Sequence, residues 1–420
     1  MIRHIALTAG TRVALTVFGL ATSIVTTRFL GPGGRGDYFF MVTLALLIVQ
    51  VGNLGLPASN TFFAARDPHR TPQLLANAFW ISLGIGGGIG AGVALFAHAA
   101  GMLQDTPASY LWLAAALAPP SLFYLLVNGI LIGRGQIRAF NALEFAVRAA
   151  LLPVLVAAGL AGFGARGFVA VSIAVWLAAG VAAAQLVGRY ANLSLAPSRE
   201  LILVGFRYAT KTYIITLLAF VALRGNIFLL RREFGPADLG LYSIGVQIAD
   251  VLTILPQAVG MILLPHLVRD ASNRWERTVR AAFWVGAIMI VVCAATAIFA
   301  GPVIRLLYGE SFAPSTRVLQ IMLPSVLSLA VAGVVSQYLA AIGQPRPLLA
   351  VWAAGAALVL ALSLYLIPNH GAAGAAAALS VGHAAIFAAI VVTGYLYRNA
   401  EPRGPAGLSA TDEAPQRLDA

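Results

Sequence analysis

The sequence predicts an all-α polytopic membrane protein, with twelve transmembrane helices in two six-helix bundles related by a parallel 6+6 repeat. Three observations predict it. Apolar residues make up 60% of the 420-residue chain, charged residues 10%, and mean hydropathy is +0.87. The apolar residues fall into twelve segments of spanning length, and the last six segments repeat features of the first six. A soluble domain of ordinary composition carries about 25% charged residues, so this chain lacks the polar surface to face water all round. That excludes a soluble enzyme and an intrinsically disordered chain. It also excludes a nucleic-acid-binding domain, because the net charge of +12 is scattered among apolar segments and forms no basic patch.

A spanning helix needs roughly 20 mostly apolar residues. The qualifying segments run near 5–30, 38–64, 74–100, 109–133, 139–162, 167–188, 201–230, 239–267, 279–305, 316–342, 348–367 and 372–396. The first is too long for the apolar core of a cleaved signal peptide and is read as a span. Segments five and six are the least cleanly separated, split by Gly162-Phe163-Gly164-Ala165-Arg166. The expected organisation is a first bundle over 1–190, a cytoplasmic linker over 191–200, a second bundle over 201–398 and a disordered cytoplasmic tail over 399–420. The tail reading follows from its Pro, Gly, Asp and Glu content.

Orientation follows from Lys and Arg, which are retained on the cytoplasmic side. With both termini inside, fifteen arginines fall in inside segments. Four (Arg35, Arg166, Arg231 and Arg232) fall in outside loops. The asymmetry predicts a multi-pass protein with an even number of spans and both ends cytoplasmic.

The repeat is explicit. Arg28-Phe29-Leu30-Gly31-Pro32, then Gly36 and Tyr38, matches Arg232-Glu233-Phe234-Gly235-Pro236, then Gly240 and Tyr242, at an offset of 204. Pro120-Ser121 matches Pro324-Ser325 at the same offset. Gly135-Gln136-Ile137-Arg138 matches Gly343-Gln344-Pro345-Arg346 at 208, and Gly164-Ala165-Arg166-Gly167 matches Gly371-Ala372-Ala373-Gly374 at 207. The offset equals six spans, so the copies share an orientation. That is a recurrent transporter design, in which substrate binds between halves and access alternates. A twelve-span scaffold is the other product of such a duplication.

The first of these motifs, Arg28 to Tyr38, resembles the first-loop signature of Wzx-type polysaccharide flippases. Gly52-Asn53-Leu54-Gly55-Leu56-Pro57-Ala58-Ser59 is similar to that family's second-span ending, and Leu307-Tyr308-Gly309-Glu310-Ser311-Phe312 to its turn after span nine. Pro368-Asn369-His370-Gly371-Ala372-Ala373-Gly374 resembles the turn into its last span. The resemblance covers roughly residues 5–396. It places the chain with the multidrug/oligosaccharidyl-lipid/polysaccharide (MOP) exporters, a superfamily that also holds drug antiporters and lipid II flippases. It implies a MOP-like fold and passage of an undecaprenyl-pyrophosphate-linked oligosaccharide, for O-antigen, capsule or exopolysaccharide assembly.

Eight basic residues lie in or near spans: Arg12, Arg28, Arg148, Arg207, Lys211, Arg224, Arg305 and Arg317. The acids there are Glu144 and Asp250. A central Arg or Asp costs about 2.5–3.5 kcal/mol on insertion scales, so such residues face protein or a watery cavity. Arg28, Arg305 and Arg317 sit near span ends, where snorkelling suffices. Arg207 and Lys211 share a helix face at the start of span seven, suited either to lipid headgroups or to a substrate portal. Glu144 and Arg148 have the spacing of an intrahelical pair. Arg12 and Arg224 have no acid in their own spans, and the resemblance implies that those two spans flank a central cavity. They are the leading candidates for a cationic site, with Arg148, Lys211 and Arg207 behind them. Asp250 either pairs with one of them or, like Glu144, carries a coupling ion.

A cationic cavity suits the chemistry, because Arg grips phosphate oxygens with a planar, permanently charged fork. Asn53, Asn60, Asn128, Asn226, Gln247 and Gln337 are candidates for polar walls, though interhelical glue is the commoner role for any single one. His383 reads as a satisfied core histidine. GxxxG spacing at Gly84/Gly88, Gly86/Gly90 and Gly88/Gly92 predicts a close helix contact. Pro57, Pro153, Pro256 and Pro324 are candidate kinks. The lone Cys293 gives no disulfide, and no metal or cofactor motif occurs.

The expected function is therefore a flippase and not an enzyme. Its partners are the lipid-linked substrate, membrane lipids and, by the chemistry of the pathway, polymerase and glycosyltransferases, with no nucleic acid. The alternative is a cation-coupled multidrug antiporter of the same superfamily, which needs acids and has only Glu144 and Asp250. A membrane-embedded glycosyltransferase ranks third, because the outside loops are too short for a catalytic domain.

Overall fold

The computed structural model describes residues 2–99, 106–189, 196–270 and 273–399, with side chains described from residue 14 onward and omitting residue 98. The tail over 400–420 and the first half of the linker, 191–195, lie outside the described residues. No strand occurs among the described residues, and the chain is a succession of helices. They are α1 (Ile2–Gly52), α2 (Leu56–Arg66), α3 (Thr71–Ile81), α4 (Gly87–Ala99), α5 (Ala108–Gly133), α6 (Ile137–Leu160) and α7 (Ala165–Gly188). After the linker come α8 (Arg199–Arg224), α9 (Asn226–Leu252), α10 (Ile254–Arg269), α11 (Arg274–Tyr308), α12 (Ser315–Ala341) and α13 (Pro347–Leu396).

Nine continuous stretches among the described residues are long and apolar enough to cross a membrane. Three of them fold back at a glycine, which makes twelve crossings in the predicted order. Gly31 turns α1 at φ 63° and ψ −177°. Gly235 turns α9 at φ 74° and ψ −165°, and Gly371 turns α13 at φ 53° and ψ −132°. A side chain at positive φ is strained, so glycine is needed at each turn. A proline follows at Pro32 and Pro236, where its fixed φ suits the start of the returning helix.

The repeat is thus a repeat of backbone devices. Gly135 and Gly343 also match in conformation, with φ 70° and 88°, between α5 and α6 and between α12 and α13. The crossings that follow the Gly31 and Gly235 turns are both interrupted midway, at Asn53–Gly55 and at Thr253. Pro57 and Pro256 open the helices that continue them, as the predicted kinks require. In the glycine-rich run, a π-turn over Ser82–Gly86 and the helix after it put Gly86 and Gly90 against α5. Gly84, Gly88 and Gly92 face open space, so one edge of the expected GxxxG stripe makes the contact.

Two buried apolar cores form. One runs through the first six crossings and extends across the ends of α9 and α13 near their glycine turns, through Leu230, Leu239, Tyr242 and Ala375. The other fills the last six crossings around Met289, Leu323, Tyr338 and Ile386. The halves are therefore fused on the face that carries Gly31 and Gly235, here called the turn face. The opposite face is the terminal face.

Candidate functional site

Two of the charges expected within spans form an ion pair. Arg224 Nη2 lies 2.6 Å from Asp250 Oδ2, joining the end of α8 to the end of α9. At 1.5 Å per residue, Arg224 is roughly 16 Å and Asp250 roughly 22 Å from the Gly235 turn, near the middle of a hydrocarbon layer about 30 Å thick. Their side chains keep 21% and 52% of their exposure. A charge at that depth faces either protein or a watery cavity. A polar ladder continues toward the terminal face: the Thr253 hydroxyl donates to the Asp250 carbonyl (2.8 Å), and Gln257 Nε2 donates to the Thr253 hydroxyl (3.2 Å). Next to the pair, buried His383 is held by Ser325 Oγ at 2.6 Å and by the Ala222 carbonyl at 3.3 Å, the satisfied core histidine expected.

Other candidates have different surroundings. The Glu144–Arg148 pair anticipated from spacing is not among the ion pairs of the described residues. Glu144 Oε1 instead accepts from Tyr124 Oη (2.8 Å) and Asn128 Nδ2 (3.0 Å), both on α5. Arg148 lies over the Trp176 ring at 5.8 Å. The neighbouring helices supply better-placed partners than the next turn does. Lys211 Nζ donates to the Gly343 carbonyl at 3.0 Å and to the Gln344 carbonyl, so it holds the turn after α12. Arg207 is exposed near the start of α8. Arg12 lies within the α1 backbone, but its side chain is outside the described residues.

Four amides are structural in their contacts. Asn53 builds the break before α2, accepting from Gly55 N at 2.8 Å and donating to the Gln50 carbonyl at 3.0 Å. Asn60 donates to the Leu126 carbonyl at 3.1 Å. Asn128 serves Glu144, and fully buried Asn226 donates to Tyr242 Oη at 2.8 Å. Gln247 and Gln337 are partly exposed, and Gln337 lies against Gly260.

Sequence reasoning missed a second cluster, at the turn face. Arg35 and Arg231, expected in outside loops, are helical and each only 4% exposed. Arg35 donates to Ser243 Oγ (3.1 Å) across the halves and to Thr26 Oγ1 (2.6 Å) within its own. Arg231 Nη2 pairs with Asp37 Oδ1 at 2.8 Å, and Tyr110 Oη reaches the other Asp37 oxygen at 3.3 Å. Arg28, expected to snorkel, donates instead to the Leu306 and Leu307 carbonyls at 2.5 and 2.9 Å, at the end of α11. Between these contacts the backbones touch. A Cβ on Gly36 would overlap the Pro236 carbonyl oxygen, and one on Gly240 would overlap that of Pro32. The available signal was the repeat itself, since Asp37 stands between Gly36 and Tyr38, whose counterparts Gly240 and Tyr242 are retained.

A family model described as "Polysaccharide biosynthesis protein" matches residues 2–269. No curated protein matches the chain. Among solved structures, the chain is similar to an inward-facing multidrug resistance MATE family transporter of the MOP superfamily, at TM-score 0.74 and 17% identity, covering 92% of this chain and 95% of that one. It is similar to the lipid II flippase MurJ in an inward closed conformation, at TM-score 0.75 and 12% identity, covering 94% and 87%. Against an outward-facing MATE family structure the TM-score is 0.63 at 16% identity, with 95% of each chain covered. The chain is a multi-pass, all-α membrane protein that shares its fold with these transporters.

Proposed function

The chain belongs to the polysaccharide biosynthesis protein family, and from that premise we propose that it is a flippase. It carries a lipid-linked oligosaccharide, held through an undecaprenyl pyrophosphate, from the cytoplasmic to the outer leaflet by alternating access. Two six-helix bundles, divided at the linker over 191–200, move against one another. The turn face is the outer face of the bacterial cytoplasmic membrane and both chain ends are cytoplasmic, as the arginine asymmetry favours. Surface polysaccharide of the O-antigen, capsule or exopolysaccharide type is the destination. Polymerase and glycosyltransferases act beside it.

The observation that carries this reading is the Arg224–Asp250 pair at mid-depth, with Asp250 half exposed and Arg224 partly so. An inward-facing protein needs a cation that a pyrophosphate reaches from the cytoplasm, and the cation must be neutralised while the site is empty. Asp250 meets the second need. A phosphate oxygen arriving at Arg224 replaces the carboxylate, which is then freed to take a proton or coupling ion. Arg12, in the corresponding first helix of the other bundle, is the second cationic candidate. The ladder of Thr253 and Gln257, with Gln247 and Gln337, offers hydrogen bonds to sugar hydroxyls, and the prenyl tail stays in lipid.

The test is a strain lacking the protein, complemented with Arg224→Gln or Asp250→Asn. Loss of surface polysaccharide, with lipid-linked oligosaccharide retained on the cytoplasmic leaflet and protein level intact, is the expected outcome. Normal polysaccharide accompanied by altered drug sensitivity would favour the cation-coupled antiporter.

A further inference from the structure

The turn-face cluster is cationic and undersatisfied. Arg35 and Arg231 bring two positive charges into a buried layer, and the acid within reach there is Asp37. Arg231 uses Nη2 on Asp37, while its Nε and Nη1 have no hydrogen-bond partner. The buried Tyr308 hydroxyl lies beside Ser23 and close to Arg35. The aromatic rings of Tyr38, Phe39 and Phe40 cover the two guanidinium groups. Arg166, over the Tyr110 ring, adds a further positive charge on the Asp37 side. A latch needs only matched pairs. Buried guanidinium N–H groups left unpaired are costly, and a buried, net-positive cluster is what an oxyanion neutralises.

We propose that Arg35 and Arg231 form an exit subsite for the phosphate oxygens of the transported lipid, distinct from the Arg224 site and occupied as the turn face opens. When the halves part there, Arg35 leaves Ser243 and Arg231 leaves Asp37, since each of those contacts crosses the halves. A pyrophosphate rising from mid-depth takes over both guanidinium groups, and Tyr308 Oη adds a donor. Opening is thereby coupled to the presence of an anionic cargo. The inference rests on the flippase reading for its cargo, but its test does not require translocation.

Cysteines introduced at Phe163 and Glu310 report the separation of the halves at this face. Both positions are exposed, one on each half, and Cys293 is replaced by Ala. Spin labels on the reconstituted full chain give the fraction of molecules with a long distance. Inorganic pyrophosphate is expected to raise that fraction. Arg35→Gln or Arg231→Gln raises the half-saturating concentration about tenfold or more, the scale of a lost charge-assisted hydrogen bond. Arg231→Lys keeps the charge and the fold and gives an intermediate value. Asp37→Asn removes the competing carboxylate and lowers it. A short-chain prenyl pyrophosphate saturating below the inorganic ion assigns the site to lipid cargo, and equal saturation assigns it to a free anion and overturns the exit role. No response to pyrophosphate, with Arg231→Gln and Asp37→Asn opening the face alike, would leave only a latch and overturn the proposal. A response to pyrophosphate in a protein that moves no lipid-linked saccharide would sink the cargo reading and leave the anion site standing.

Discussion

The turn at Gly31 and the turn at Gly235 have one backbone and two chemistries. Both glycines take positive φ with extended ψ, both are followed by proline, and five residues on each presents a glycine to the other's proline carbonyl. The side chains around them diverge. Arg35 and Asp37 in the first half correspond at the 204-residue offset to Leu239 and Leu241, while Arg231 and Ser243 in the second correspond to Thr27 and Phe39. The mid-depth pair is equally one-sided, since Arg224 and Asp250 correspond to Leu20 and Leu46. Positions fixed by backbone geometry are common to both halves. The charges of these two clusters occur once, and Arg35 and Arg231 each reach one partner in the opposite half, Ser243 and Asp37.

The largest effect expected from breaking this symmetry is at the glycine crossing. Gly36→Leu or Gly240→Leu drives a side chain into the facing carbonyl, and overpacking of this kind costs about 1–3 kcal/mol or more. Loss of folded protein, or of the closed turn face by crosslinking between the halves, should follow. Gly33→Ala, in the same turn but facing open space, should change neither. Next in size is the charge asymmetry. Arg224→Gln is expected to cut transport by about tenfold or more, the scale of one lost charged contact, whereas Leu20→Met should leave it near normal in the same complementation assay.

Smaller and matched effects are expected where the halves agree. Gly31→Ala and Gly235→Ala should each destabilise by about 1–2 kcal/mol through positive φ, by similar amounts in thermal unfolding. Lys211→Met removes a cation from the end of α12 and should cost about 0.3–1 kcal/mol. Glu144→Gln keeps an acceptor for Tyr124 and Asn128, so it should leave transport within about twofold; a large loss would return Glu144 to the coupling-ion role.

Much of the fold was legible because the membrane demands it. Apolar length gave the twelve crossings, and a repeat carrying Gly and Pro at fixed positions located the turns that the backbone makes. Local spacing was less reliable for the site. Glu144 and Arg148 sit one turn apart, yet Tyr124 and Asn128 from α5 take the carboxylate. Arg35 and Arg231 read as loop cations, because their partners Ser243 and Asp37 lie 208 and 194 residues away. Asp250 could be matched with a cation only as one of two options; the fold brings Arg224 to it. Interactions that cross the halves have no periodic signature in a single chain.

The central claim is that Arg224 receives the pyrophosphate of a lipid-linked oligosaccharide. The most direct measurement is translocation of such a lipid, labelled on its sugar, by purified protein in vesicles, scored by access of an outside oxidant to the sugar. Wild-type protein should expose the label and Arg224→Gln, folded and equally abundant, should not. Equal exposure by both proteins would contradict the account.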